Sequence, residues 1–171
     1  RFVTVVNEIG VKTLMSCDGW HRNQDQYSRE VRLWMYDRFS VYWLWLITEY
    51  VFGETWIRSK ADDSAMWKNK WQPDNSRDYE YPFEQCKMII DIEQGDEWKV
   101  YDKIQRYAEY LEQNRELLLR IREKWIQAFR NDDKLMAEAN DKDKNFIKMH
   151  RKIREIIEED LVAMKWGNKK L

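Results

Sequence analysis

The stretch that decides the fold is Val41–Phe52, VYWLWLITEYVF, in which ten of twelve residues are apolar or aromatic. On a helix the side chains of Trp43 and Trp45 point about 200° apart, so both sides of this segment carry an indole. A helix that is apolar all round is buried all round. The segment therefore predicts either the central helix of a bundle or a face that a partner protein covers.

The residues before this stretch extend the helical pattern towards the N-terminus. Apolar side chains recur there every three or four residues, at Tyr27, Val31, Trp34, Met35 and Phe39. Because this spacing is typical of an amphipathic helix, we predict one helix over 26–52. Residues 1–25 are expected to form a short extended N-terminal arm and a loop, since residues 2–6, FVTVV, are β-prone.

The residues after the apolar stretch divide into an irregular part and a helical part. Glycine, proline and clustered Asp and Ser interrupt residues 53–82, which predicts an irregular aromatic segment. Helices are expected over 82–94, 97–130 and 141–166. The last two should pack as a long antiparallel hairpin, although polar residues interrupt the apolar stripe at Asn114 and the residue after it.

Composition supports one helical class for the whole chain. The 171 residues include 5 Gly, 2 Pro and 10 Trp, and the scarcity of Gly and Pro favours long helices. The hydrophobic content of 43% excludes a disordered chain, and a net charge of −1 argues against a general polyanion binder. We predict a single all-α domain over 1–171. Its expected form is an irregular helical bundle with the C-terminal hairpin and the N-terminal arm.

Cysteine usage and hydropathy bear on the compartment. Cys17 and Cys86 are too few for a disulfide scaffold and lack metal-binding spacing, so we expect reduced thiols in an intracellular setting. The chain begins at Arg1, which is compatible with a removed targeting peptide. The apolar run is shorter than the roughly 20 residues of a membrane span, so we expect no integral span.

Catalytic motifs are scarce in this sequence. Its two histidines, His21 and His150, have no second His or Cys at metal-ligand spacing, and HExxH is absent. Ser16 and Cys17 lie near His21, but no GxSxG nucleophile elbow accompanies them. No Gly-rich phosphate loop is present either. We therefore expect no cofactor and favour a protein that is not an enzyme.

Two Glu-x-x-Glu pairs support an enzymatic alternative. Glu109 and Glu112 share one helical face, and Glu155 and Glu158 share another. If the two helices faced each other, four carboxylates could hold Mg²⁺ for hydrolysis of a nucleotide or phosphate ester. This alternative predicts that the four groups converge. The competing interpretation is a pair of solvated faces with neighbouring basic residues.

A second alternative rests on the loop after the apolar helix. Residues 56–60, WIRSK, and 67–71, WKNKW, interleave Trp with basic side chains, which could stack bases and contact phosphates. Neighbouring Asp residues weaken this interpretation, and nucleic acid is the less expected partner.

The favoured hypothesis is a non-enzymatic structural or interaction protein. Trp and Tyr are enriched at the centres of protein interfaces, and 10 Trp exceed what a helical core of this size needs. We expect an accessory subunit of a larger assembly or a homo-oligomer, with an exposed apolar patch larger than a monomer usually carries. The candidate interface residues are Trp34, Tyr42, Trp43, Trp45, Tyr50, Trp67 and Trp71.

Overall fold

The computed structural model of this chain describes residues 1–17, 30–35, 37–53, 86–91, 97–140 and 146–166. Helices make up most of these residues, so the predicted helical class is confirmed. The helices are α1 (Phe2–Glu8), α2 (Arg38–Leu46), a π-helix (Ile47–Val51), α3 (Glu97–Gln113), α4 (Arg115–Arg130), α5 (Asp133–Asn140) and α6 (Phe146–Ala163). The strands β1 (Thr13–Cys17), β2 (Glu30–Met35) and β3 (Cys86–Asp91) add a small antiparallel sheet in the order β1–β2–β3.

The sheet corrects two predicted helices. The helix expected over 26–52 is wrong at Glu30–Met35, and the helix expected over 82–94 is wrong at Cys86–Asp91. Leu33 and Met35 are buried, so alternate residues of β2 face the core. Val31 in β2, and Ile89 and Ile90 in β3, are residue types that fit a pleated surface well, and each segment gains a partner strand.

The N-terminal arm is also corrected in part. Residues 13–17 are extended, but residues 2–8 form α1, because Val5 and Val6 are buried in the core when this segment is helical. Gly10, at φ +92°, ends this helical region, and the Val11 N–H donates to the Val6 carbonyl at 2.9 Å. Core packing therefore overrides the β propensity of this segment.

The apolar stretch begins with a capped helix. The Asp37 carboxylate accepts a hydrogen bond from the Ser40 backbone N–H at 2.7 Å, which fixes the start of α2. Every residue over 41–48 is buried. Of the two predicted alternatives, the central helix of a bundle is therefore the one observed.

The long helix predicted over 97–130 is interrupted. Asn114 separates α3 from α4, and its side-chain amide donates to the Tyr110 carbonyl at 2.8 Å. The break falls at the polar interruption of the apolar stripe. α4 packs against α6, and α6 also contacts α2, α5 and the π-helix. A single uninterrupted helix over 97–130 is wrong, and the long antiparallel hairpin is not confirmed.

The core combines side chains from helices that are far apart in the sequence. Its largest fully buried side chains include Tyr42 and Trp43 of α2, Tyr107 of α3, and Trp125 and Phe129 of α4. Within the described ranges, no helix is both long enough and apolar enough to cross a membrane. The irregular segment predicted over 53–82 lies outside the described residues except for Gly53, and the single-domain organisation stays a prediction.

Candidate functional site

Three of the predicted interface residues lie inside the core. Tyr42, Trp43 and Trp45 are buried, and the Trp43 indole N–H donates to the Ile9 carbonyl at 2.8 Å. The other side of the helix is covered by α6, where His150 stacks on Trp45 with ring centroids 3.6 Å apart. The expectation that these three side chains supply a partner interface is therefore wrong, because the chain's own elements cover both faces.

The remaining predicted interface residues have other placements. Trp34 lies on β2, opposite Met15 of β1 and Lys87 of β3, and its side chain lies outside what the structure describes. Trp67 and Trp71 lie outside the described residues, so the nucleic-acid alternative that rests on their loop stays a prediction. Tyr50 is half-buried, and its hydroxyl accepts a hydrogen bond from Arg154 at 3.2 Å.

Two exposed aromatic side chains lie elsewhere in the described part of the chain, at the N-terminal half of α3. Trp98 is 66% exposed, and Tyr101, one helical turn further on, is 40% exposed. The Lys99 ammonium lies 5.8 Å from the centroid of the Trp98 ring. Trp98 is not among the predicted interface residues. The sequence holds a signal for its exposure, because on a helix over 97–130 Trp98 falls off the apolar stripe that contains Tyr101 and Ile104.

A second exposed indole lies just beyond α6. Trp166 is 40% exposed, and its ring meets that of Tyr107 edge-on at 5.3 Å between centroids. Its backbone N–H donates to the Val51 carbonyl at 2.8 Å, so the residue is held at both its ring and its backbone. Exposed indoles therefore occur at α3 and after α6, whereas Trp43 and Trp45 are core.

The four carboxylates of the hydrolase alternative do not converge. Glu109 and Glu112 both bind the guanidinium of Arg1, at the start of α1. Glu155 and Glu158 are exposed on α6, which packs against α2, α4, α5 and the π-helix. Among the described side chains, no group of three or more His, Cys, Asp or Glu residues could hold a metal ion. The predicted convergence is wrong, because Arg1 at the start of α1 binds Glu109 and Glu112, the two carboxylates on α3.

A buried polar contact joins α6 to the π-helix. His150 is only 6% exposed, and its Nε2 atom lies 3.4 Å from Oε2 of Glu49. Both atoms are buried without a hydrogen-bond partner of good geometry. Burial, with a smaller contribution from Arg154, lowers the pKa of His150 to about 3. The imidazole is therefore neutral at pH 7, and the contact with Glu49 is not an ion pair.

The same buried environment shifts the pKa of Glu49 in the direction opposite to that of His150. Burial raises the pKa of the Glu49 carboxyl, while the positive charge of Arg154 opposes that rise. Arg154 itself donates to the Tyr50 hydroxyl, and this bond raises the pKa of the guanidinium. In the sequence, His150 lies next to apolar residues of the last predicted helix. The sequence does not identify its partner, because Glu49 lies about a hundred positions earlier in the chain.

The buried His150–Glu49 contact and the exposed aromatic face of α3 are the two features of the described residues with functional potential. The His150–Glu49 contact can gain or lose a proton, and the Trp98–Tyr101 face can bind an apolar surface. Comparisons with protein-family models, with curated proteins and with solved structures find no match.

Proposed function

We propose that this chain is a non-enzymatic helical protein that works through contact with another protein, as an accessory subunit of a larger assembly or as a homo-oligomer. The observation that carries the proposal is the exposure of Trp98, which leaves 66% of a large apolar side chain in solvent. Tyr101 lies on the same side of α3. Trp and Tyr supply much of the binding energy at the centres of interfaces.

The surroundings of this aromatic pair fit an interface. Asp102 and Arg106 form an ion pair at 2.9 Å along the same helix, and Lys103 is exposed beside them. An aromatic centre with a polar rim of both signs is typical of protein interfaces. Further along α3, Ala108 is fully buried and α1 packs against the helix, so only the N-terminal half carries exposed aromatic residues.

An intracellular setting is part of the proposal, and the sheet supports it. Cys17 on β1 lies opposite Arg32, and Cys86 on β3 lies opposite Met35. Because β2 separates the two strands, their backbones are about 9–10 Å apart, beyond the reach of a disulfide. The two thiols therefore have no disulfide to form with one another, as expected of a chain that folds under reducing conditions.

The experiment compares matched variants of the tagged chain, crosslinked gently in its native source. Replacing Trp98 and Tyr101 by alanine together should lower the yield of the complex at least tenfold, because hot-spot truncations cost about 2 kcal/mol or more. Leu117→Ala is the control, since this side chain on α4 is also exposed, at 39%. Equal yields from the wild type and the double variant, with both folded, would contradict the proposal.

A further inference from the structure

We propose that His150 and Glu49 form a binding site for one divalent cation of the zinc class, which ties α6 to the π-helix. The inference is independent of the proposed function. It starts from two buried atoms, Nε2 of His150 and Oε2 of Glu49, which lie 3.4 Å apart. Within the described part of the chain, neither atom has a hydrogen-bond partner, and His150 is only 6% exposed. Buried polar atoms need a partner, and a cation can bind both of these at once.

The 3.4 Å separation of the two atoms selects among the possible partners. A direct N–H···O hydrogen bond would bring them to about 2.9 Å, and one bridging water would hold them about 4.5 Å apart. Two ligands of one tetrahedral zinc ion lie about 3.4 Å apart, since each binds at roughly 2.0–2.1 Å. Adjacent ligands of octahedral Mg²⁺ would be about 2.9 Å apart, and that ion prefers oxygen. The spacing therefore favours a tetrahedral cation that accepts both nitrogen and oxygen.

The imidazole of His150 is prepared to act as a ligand. Its ring stacks on that of Trp45 with centroids 3.6 Å apart, which occupies a ring face and leaves the edge that carries Nε2 to Glu49. Burial lowers the pKa of His150 to about 3, and the neutral imidazole is the form that binds a metal. The Glu49 side chain is 33% exposed, so an ion in solution can reach the pair from that side.

The charges around the pair come from both elements. On α6, Arg154 opposes a cation, but its Nη1 atom donates to the Tyr50 hydroxyl at 3.2 Å, and the negative charge of Glu158 acts on it. Two carboxylates, those of Glu49 and Glu158, therefore outweigh one guanidinium before the cation binds. Within the described ranges no third His, Cys, Asp or Glu completes the ligand set, so water takes the two remaining positions of the tetrahedron.

The test is a titration of the full chain with Co²⁺, a coloured substitute for zinc, at pH 7. Tetrahedral Co²⁺ absorbs visible light far more strongly than the octahedral ion in water, so the spectrum reports geometry as well as binding. The wild type should bind one equivalent with the tetrahedral spectrum. Glu49→Gln, and His150→Phe, which keeps the aromatic stack, should each weaken binding at least about tenfold, because one protein ligand is lost. His21→Gln and Glu155→Gln are matched controls, the other histidine and an exposed carboxylate of α6, and should bind as the wild type does.

Stability gives a second readout, because a cation that joins α6 to the π-helix binds only the folded chain. At free Co²⁺ of about 100 times the dissociation constant, the unfolding equilibrium constant should fall about 100-fold in the wild type and stay unchanged in Glu49→Gln. A wild type with only the octahedral spectrum, or equal binding by Glu49→Gln and His150→Phe, overturns the proposal. If neither variant folds, the ring nitrogen resonances of wild-type His150 decide. An Nε2 resonance that does not move on addition of Zn²⁺ also overturns it.

Discussion

At the scale of single residues, the described tryptophans divide into buried core side chains and exposed ones. The Trp43 N–H reaches the Ile9 carbonyl at 2.8 Å, which ties α2 to the end of α1. Trp98, in contrast, is two-thirds exposed on α3. The sequence shows that the segment around Trp43 must be buried. It does not show whether this chain or a partner buries it, since Ile9 is distant in sequence.

Substitution of the buried indole tests this assignment. Trp43→Phe removes the N–H donor, leaves the Ile9 carbonyl without it and opens a small cavity, so it should lower the free energy of unfolding by about 2–4 kcal/mol. Trp98→Phe is the matched control and should change it by less than about 0.5 kcal/mol. Urea unfolding measures both. Similar losses for the two variants would show that Trp43 is not a core residue.

Gly10 provides a second test at this scale. Its φ of +92° is unfavourable for other residues, and an added Cβ would lie 2.6 Å from Nε of Arg122. Gly10→Ala should therefore destabilise the fold by about 1–3 kcal/mol. Gly53→Ala, at φ +71° with open space around it, should carry only the backbone strain of about 1 kcal/mol. Thermal unfolding should rank Gly10→Ala as the less stable variant, and the reverse order would contradict the close approach of Arg122.

At the scale of elements, the start of α2 depends on one carboxylate. Asp37→Ala removes the acceptor of the Ser40 N–H and should cost about 0.5–2 kcal/mol. Asp102→Ala is a control on an exposed helix position, where the ion pair with Arg106 contributes about 0.3–0.5 kcal/mol. Denaturant midpoints compare the two. A cost for Asp37→Ala no larger than that of the control would contradict the cap.

The elements also show where sequence patterns are ambiguous. Val31, Leu33 and Met35 alternate as a strand requires, yet Val31, Trp34 and Met35 also recur as a helix requires. The choice is made by β3, more than fifty residues later, and no local pattern contains that information. The break at Asn114, in contrast, has a local signal in the polar interruption of the stripe.

At the scale of the whole molecule, the composition predicted more than the motifs did. The scarcity of Gly and Pro led to the helical body, which is confirmed. The candidate site was harder to predict, because it depends on which helix covers which. Glu109 and Glu112 have the spacing of a metal site but bind Arg1. The sequence pattern did not distinguish Trp98 from the more numerous aromatic residues of 41–52. Its exposure follows from how the helices pack, which the sequence does not show.

Whether this protein works in contact with another protein chain can be measured as the mass of the particle that it forms in its native source. The 171 residues have a mass of 21.2 kDa. We expect native mass spectrometry of the gently crosslinked, affinity-purified wild type to give a defined mass larger than that of one chain, and the variant with alanine at Trp98 and Tyr101 to return to the mass of one chain. A wild-type particle with the mass of a single chain would show that the protein does not work through such a contact.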